Sequence, residues 1–125
     1  MSMSELLERL EAAGIPLDDL TKSAMIDIDP NDFTDYDLEG FWHDKPIPFL
    51  FTGFGATRTI SAPHMIATLL HHLEITIGQD IMLIGSKGGY LAAIIDRMVG
   101  KDGPVTIPEP HDEVRLHTEE RLEKH

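Results

Sequence analysis

Gly85-Ser86-Lys87-Gly88-Gly89-Tyr90 follows directly on the apolar run Asp80-Ile81-Met82-Leu83-Ile84. A strand, a glycine turn and a helix form the unit that cradles a phosphate or a cofactor in α/β folds. The glycines let a ligand approach the backbone, and the helix N-terminus supplies free N–H groups. In such units an acidic residue about 20 positions on, at the end of the next strand, holds a ribose hydroxyl. Glu109 stands 24 residues after Gly85, just past the short run Val105-Thr106-Ile107. The turn is neither GxGxxG nor a Walker loop. The order of strand, turn, helix, strand and acid therefore carries the reading.

A second group of polar residues precedes this unit. In Thr59-Ile60-Ser61-Ala62-Pro63, Ser61 is placed to cap a helix whose first turn holds Ala62 and Pro63. Ile66, Leu69, Leu70 and Leu73 then recur at helical spacing. His64 and His71 lie seven residues apart, too far to chelate one ion on a straight helix. No HExxH motif or i, i+4 histidine pair is present, so we expect surface or cap-satisfied histidines and no metal. The acidic stretch from Asp27 to Glu39 lacks the spacing and glycine of a calcium loop and reads as a solvated loop. The chain has no cysteine, which excludes disulfides, thiolate metal sites and a cysteine nucleophile.

The remaining elements must position these groups. Residues 3–13 carry Leu6, Leu7, Leu10 and Ala13 on one helical face, with Ser4 as the expected N-cap and Gly14 just past the end. A second helix starting near Asp18 or Asp19 carries Leu20, Ala24, Met25 and Ile28, and Pro30 stops it. Pro46 and Pro48 force an extended path through a segment bearing Phe41, Trp42, Phe49, Phe51 and Phe54. This segment reads equally as a packed arm over the core or as a lid hinged at Gly53 and Gly55. The run 80–84 predicts a buried strand, 90–99 a helix ended by Gly100, and Lys101 to Pro104 a turn. The last helix draws its apolar contribution from Val114, Leu116 and Leu122.

Composition bounds the function. The 125 residues include 22 acidic and 10 basic side chains, a net charge of -12. That excess disfavours nucleic-acid binding, because a polyanion needs clustered cations. With 42% apolar residues the chain can build a core. No apolar run approaches the roughly 18 residues of a membrane span. The opening MSMSELLERL has no apolar signal region, and we read a cytoplasmic protein.

These residues carry a family likeness. The chain resembles the N-terminal part of the protein-L-isoaspartate O-methyltransferases, particularly archaeal members. The likeness begins near Glu5, includes the passage from Ala24 to Phe33 and the HDKPIPF passage at His43 to Phe49, and continues through residues 80–90 into LAAIIDRMVGKDGPVTI, Leu91 to Ile107, so that it spans nearly all the chain. It is most distinctive in RTISAPHM, Arg58 to Met65. The chain departs from the family where Leu83 replaces an acid and Lys87 a glycine of the cofactor turn. It also stops after the second βα unit.

The resemblance implies an α/β fold. A helical N-terminal segment and aromatic arm, residues 1–58, would precede the first βα units of a Rossmann-like methyltransferase sheet, residues 59–125, left incomplete. It implies S-adenosylmethionine as cofactor and isoaspartyl-containing proteins as substrate. The methyl ester formed on the free carboxylate would cyclise to a succinimide, which can reopen to normal aspartate. Ser61, with Thr59 nearby, would bind that carboxylate. Gly85, Ser86, Gly89 and Tyr90 would line the cofactor, and Glu109 would hold its ribose. An alternative stays open. A half-length sheet with open edges could be a non-catalytic binding or assembly module that associates with itself or takes strands from a partner.

Overall fold

The computed structural model describes residues 2–53 and 55–125; Phe54 of the aromatic arm lies outside the described residues. Six α-helices and four strands follow in the order α1 (Met3–Ala12), α2 (Asp19–Asp27), α3 (Glu39–Trp42), β1 (Ile47–Phe51), β2 (Thr57–Ile60), α4 (Pro63–Leu73), β3 (Ile81–Met82), α5 (Tyr90–Val99), β4 (Val105–Thr106) and α6 (Asp112–Leu122). Short 3-10 turns at Pro30–Phe33 and Lys87–Gly89 complete the described set.

Helix α1 is capped by Ser2, whose hydroxyl accepts from the Glu5 N–H at 3.1 Å, and not by Ser4. Its C-terminus closes as a Schellman motif. Gly14 at φ +91° donates to Glu11 O, and Ile15 donates to Leu10 O. Asp18 caps α2 through the Thr21 N–H at 2.8 Å. Its carboxyl sits below the usual carboxylate range, chiefly because that backbone N–H stabilises the charged form. Helix α2 lies against α5, and Leu6, Leu10, Met25, Phe33, Phe41, Ile94 and Ile95 meet in one continuous core.

The aromatic arm is an antiparallel hairpin. Ile47 pairs with Ile60, Pro48 with Thr59, Leu50 with Arg58 and Phe51 with Thr57. The register slips between Pro48 and Leu50, which leaves Phe49 as a bulge. The expected divide between residues 58 and 59 falls inside β2, where both residues pair with β1.

Strands β3 and β4 form a two-stranded parallel sheet, extended by Leu83 N–H to Thr106 O and Gly85 N–H to Pro108 O. The run 80–84 is not buried as expected: Met82 is 64% exposed and Ile84 is 85% exposed. β4 takes one edge of β3, and among the described residues no strand takes the other. Leu116, counted as apolar packing on α6, is likewise exposed, whereas Val114 and Thr118 are buried. The sheet is small because the described chain supplies only these two parallel strands. No helix among the described residues is long and apolar enough to cross a membrane.

Candidate functional site

The glycine turn is built from left-handed backbone. Gly85, Gly88 and Gly89 have φ of +89°, +79° and +100°. Lys87, at φ +44°, shares that region although it carries a Cβ. Two neighbours press on the turn. A Cβ added to Gly88 would stand 3.0 Å from the Phe49 ring, so the hairpin bulge seats an aromatic face directly on the turn. A Cβ on Gly89 would stand 3.3 Å from Thr118 and Leu122 of α6. Gly85 is open: among the described residues nothing lies within 4 Å of a Cβ added there.

Ser86 is enclosed. Its N–H and its hydroxyl both donate to Glu109 Oε1, at 2.8 and 3.1 Å, and the Thr118 hydroxyl donates to Ser86 Oγ at 2.7 Å. Glu109 Oε2 accepts from the His111 N–H at 3.0 Å. Burial pushes the Glu109 carboxyl up. The hydrogen bonds from His111 and Ser86, with the Arg58 charge, outweigh burial and hold it below its ordinary value. Glu109 therefore ties β4's end to the glycine turn. Helix α6 closes the same corner, held by His117 Nε2 at 2.8 Å from Phe33 O and by Arg121 paired with Asp35 at 2.8 Å.

Ser61 does not cap its helix. The N-cap of α4 is Ala62, with no side-chain bond. The free His64 N–H in the first turn is met from outside by Asp44 Oδ1 at 2.8 Å, and Asp44 Oδ2 lies 2.9 Å from His64 Nδ1. That second approach lacks hydrogen-bond geometry and counts as charge proximity alone. With the cap supplied by Asp44, the half-buried Ser61 hydroxyl is left without a hydrogen bond among the described residues.

Two adjacent cavities collect most of the expected site residues. One, of about 430 Å³, is lined by Thr59, Arg58, Gly85, Lys87 and Glu109, with Phe49 among its walls. The other, of about 220 Å³, is lined by Ser61, Tyr90 and Lys87 and by Ile60, Met65, Ile66, Leu69 and Leu91. Lys87 belongs to both. Ser86 and Gly89 line neither and are buried under α6. Tyr90 is fully buried against Phe33 and Phe41, and its hydroxyl has no hydrogen-bond partner among the described residues. Burial, with a smaller contribution from Asp29, pushes its phenol far up. Sequence reasoning did not single out Arg58, Asp44 or Thr118. Each acts across the fold, and no local spacing marks it.

A parallel strand, a glycine turn under a helix and an acid at the end of the next strand are the parts from which α/β folds build a ligand cradle, and the hairpin carries Thr59 beside them and runs on into Ser61. The model of the protein-L-isoaspartate(D-aspartate) O-methyltransferase (PCMT) family matches residues 1–125. The chain belongs to this family.

It is 35% identical over 119 residues to the protein-L-isoaspartate O-methyltransferase of Methanococcoides burtonii, covering 91% of this chain and 55% of that one. With that of Methanopyrus kandleri it shares 31% over 120 residues, covering 95% and 51%. The chain thus spans about half the length of these curated relatives. A solved protein-L-isoaspartate O-methyltransferase superposes with a TM-score of 0.84 at 23% identity, over 98% of this chain and 38% of that one, a likeness of fold. A Plasmodium falciparum member solved with S-adenosyl-L-homocysteine superposes with a TM-score of 0.80 at 26% identity, over 99% and 56%.

Proposed function

We propose that this chain forms the glycine-turn half of a protein carboxyl methyltransferase, which uses S-adenosylmethionine and accepts the free carboxylate of an isoaspartyl residue. The observation that carries the reading is the meeting of the two cavities at Lys87: Thr59, Gly85 and Glu109 face one, and Ser61 faces the other. The open approach to Gly85 and the left-handed turn fit a cofactor drawn close to the backbone. The family's assignment of the named relatives to isoaspartate methylation supports the substrate class.

Bound there, S-adenosylmethionine would supply an electrophilic methyl, whose transfer to a carboxylate oxygen forms an O–C bond, breaks the S–C bond and leaves S-adenosylhomocysteine. The acceptor is already ionised at neutral pH, so this chain's residues orient and shield it and need not remove a proton. The unbonded Ser61 hydroxyl donates to one carboxylate oxygen, with Thr59 at the neighbouring wall. Gly85 gives backbone access. Glu109 exchanges a Ser86 hydrogen bond for a ribose hydroxyl. Ser86 and Gly89 shape the turn, and Tyr90 anchors it to the core. The reading includes a cytoplasmic setting, and the acidic, self-repelling surface favours solubility.

Calorimetric titration of the chain with S-adenosylmethionine tests this. Saturable heat is expected, and its absence up to millimolar cofactor would sink the catalytic reading. Methyl transfer to an isoaspartyl peptide, lost in Ser61→Ala with the fold retained, is the second measurement.

One observation favours an added assembly role. Among the described residues one edge of β3 is unpaired, and Met82 and Ile84 beside it are exposed. We propose that this edge takes a strand from a second copy of the chain, because an unpaired strand edge presents a row of free N–H and C=O groups.

A further inference from the structure

We infer that Lys87 and Ser61 together form a carboxylate-binding pair beside an apolar cavity, so that the chain selects an acceptor carboxylate flanked by an apolar side chain. The inference rests on the methyltransferase reading for its substrate and adds which substrate is preferred.

Three observations carry it. First, Lys87 holds a left-handed backbone at φ +44° in a turn whose other left-handed positions are glycines. A side chain in that region is strained, and such strain gathers at ligand sites. Second, among the described residues no acid pairs with the Lys87 ammonium, although the chain holds 22 acidic side chains against 10 basic ones. Lys87 is exposed, so its unpaired ammonium stands in solvent, open to an anion. Third, the cavity it shares with Ser61 is otherwise walled by Ile60, Met65, Ile66, Leu69 and Leu91 and by the buried Tyr90.

At about 220 Å³ this cavity falls below the roughly 300 Å³ of small-molecule sites. It suits one apolar side chain and its neighbouring carboxylate, not a whole cofactor. The cation and the hydroxyl complement the anion, and the aliphatic wall complements the flanking residue. A basic flanking residue would bring a second cation towards Lys87 and bury it against hydrocarbon.

The test is calorimetric binding of short amidated isoaspartyl peptides to the full chain. Three probes are used: a leucine-flanked carboxylate, the same peptide with the acceptor carboxylate changed to carboxamide, and a lysine-flanked carboxylate. The leucine-flanked carboxylate should bind about tenfold more tightly than its carboxamide. That preference should fall below about twofold in Lys87→Gln and persist in Lys87→Arg.

Absence of binding, equal binding of carboxylate and carboxamide, a preference unchanged in Lys87→Gln, or no disadvantage for the lysine-flanked peptide would each overturn the inference. Thermal melting of each variant shows that the fold is kept. S-adenosylmethionine titration of the same samples separates the two readings. Cofactor heat without carboxylate selectivity removes this inference alone. Selectivity without cofactor heat supports the pair and removes the catalytic reading.

Discussion

Glu109 Oε1 accepts both the backbone N–H and the hydroxyl of Ser86, so one carboxylate oxygen binds the end of β4 to a turn 23 residues earlier in the chain. The second oxygen caps the start of the following segment at His111. The acid expected to face a ligand is thus also a brace of the protein.

Glu109→Gln should destabilise the chain by about 1–2 kcal/mol at neutral pH, the scale of a charge-assisted hydrogen bond. The sign with pH follows from its depressed folded pKa. The contribution is present above the ordinary value of 4.5 and is lost as pH falls from there through the folded pKa. Urea melts of the two proteins between pH 3 and pH 7 check this, and the difference between them should shrink on the acid side.

Ser61→Ala should leave stability within about 0.5 kcal/mol, because its hydroxyl caps nothing. A loss near 1 kcal/mol in a denaturant melt would mean that Ser61 does the work of a cap. Any fall in methyl transfer then belongs to substrate binding.

Lys87→Gly should stabilise the chain by about 1 kcal/mol, since glycine takes φ +44° without a Cβ clash. The gain is reduced by the extra freedom of glycine in the unfolded chain. Thermal melting reads the sign. Loss of stability would show that Lys87 makes contacts worth more than its strain.

Gly88→Ala should cost about 2 kcal/mol or more, from a Cβ at φ +79° placed 3.0 Å from the Phe49 ring. Pairing it with Phe49→Leu should recover part of the loss if the aromatic face is the obstacle. A double-mutant cycle on denaturant melts measures that coupling.

Ile84→Lys should raise solubility and abolish concentration-dependent association, with little change in monomer stability, because the side chain is 85% exposed. Sedimentation over a range of concentrations distinguishes the outcomes. A wild-type chain that stays monomeric at every concentration would remove self-association at the β3 edge.

Much of the second half was legible along the chain. Tyr90–Val99 is a helix ended by Gly100, a turn follows, and Glu109 stands just past β4. Each depends on near neighbours: apolar spacing, a glycine with free φ, a proline after a turn. The hairpin was not legible. Pro48 and the bulge at Phe49 break the alternation that marks a strand, and pairing with β2 supplies the stability instead. The cap of α4 was misplaced for a similar reason. Ser61 has the right chemistry and position, but Asp44, 20 residues away, reaches the free His64 N–H.

Residue types and local spacing were enough to settle the glycine turn, the existence but not the burial of its flanking strand, the helix after it, the acid beyond, and the family motif at Arg58 to Met65. These follow from short-range backbone preferences, which each segment carries with it. Tertiary structure alone decided what those groups do to one another. It spent both oxygens of Glu109 on the fold, buried Tyr90 under Phe33 and Phe41, pressed Phe49 and α6 onto the turn, and left the Ser61 hydroxyl and the Lys87 ammonium without partners among the described residues. Hydrogen bonds and packing between distant residues have no periodicity. Which polar groups are satisfied, and which stay free for a ligand, emerges when the chain closes on itself.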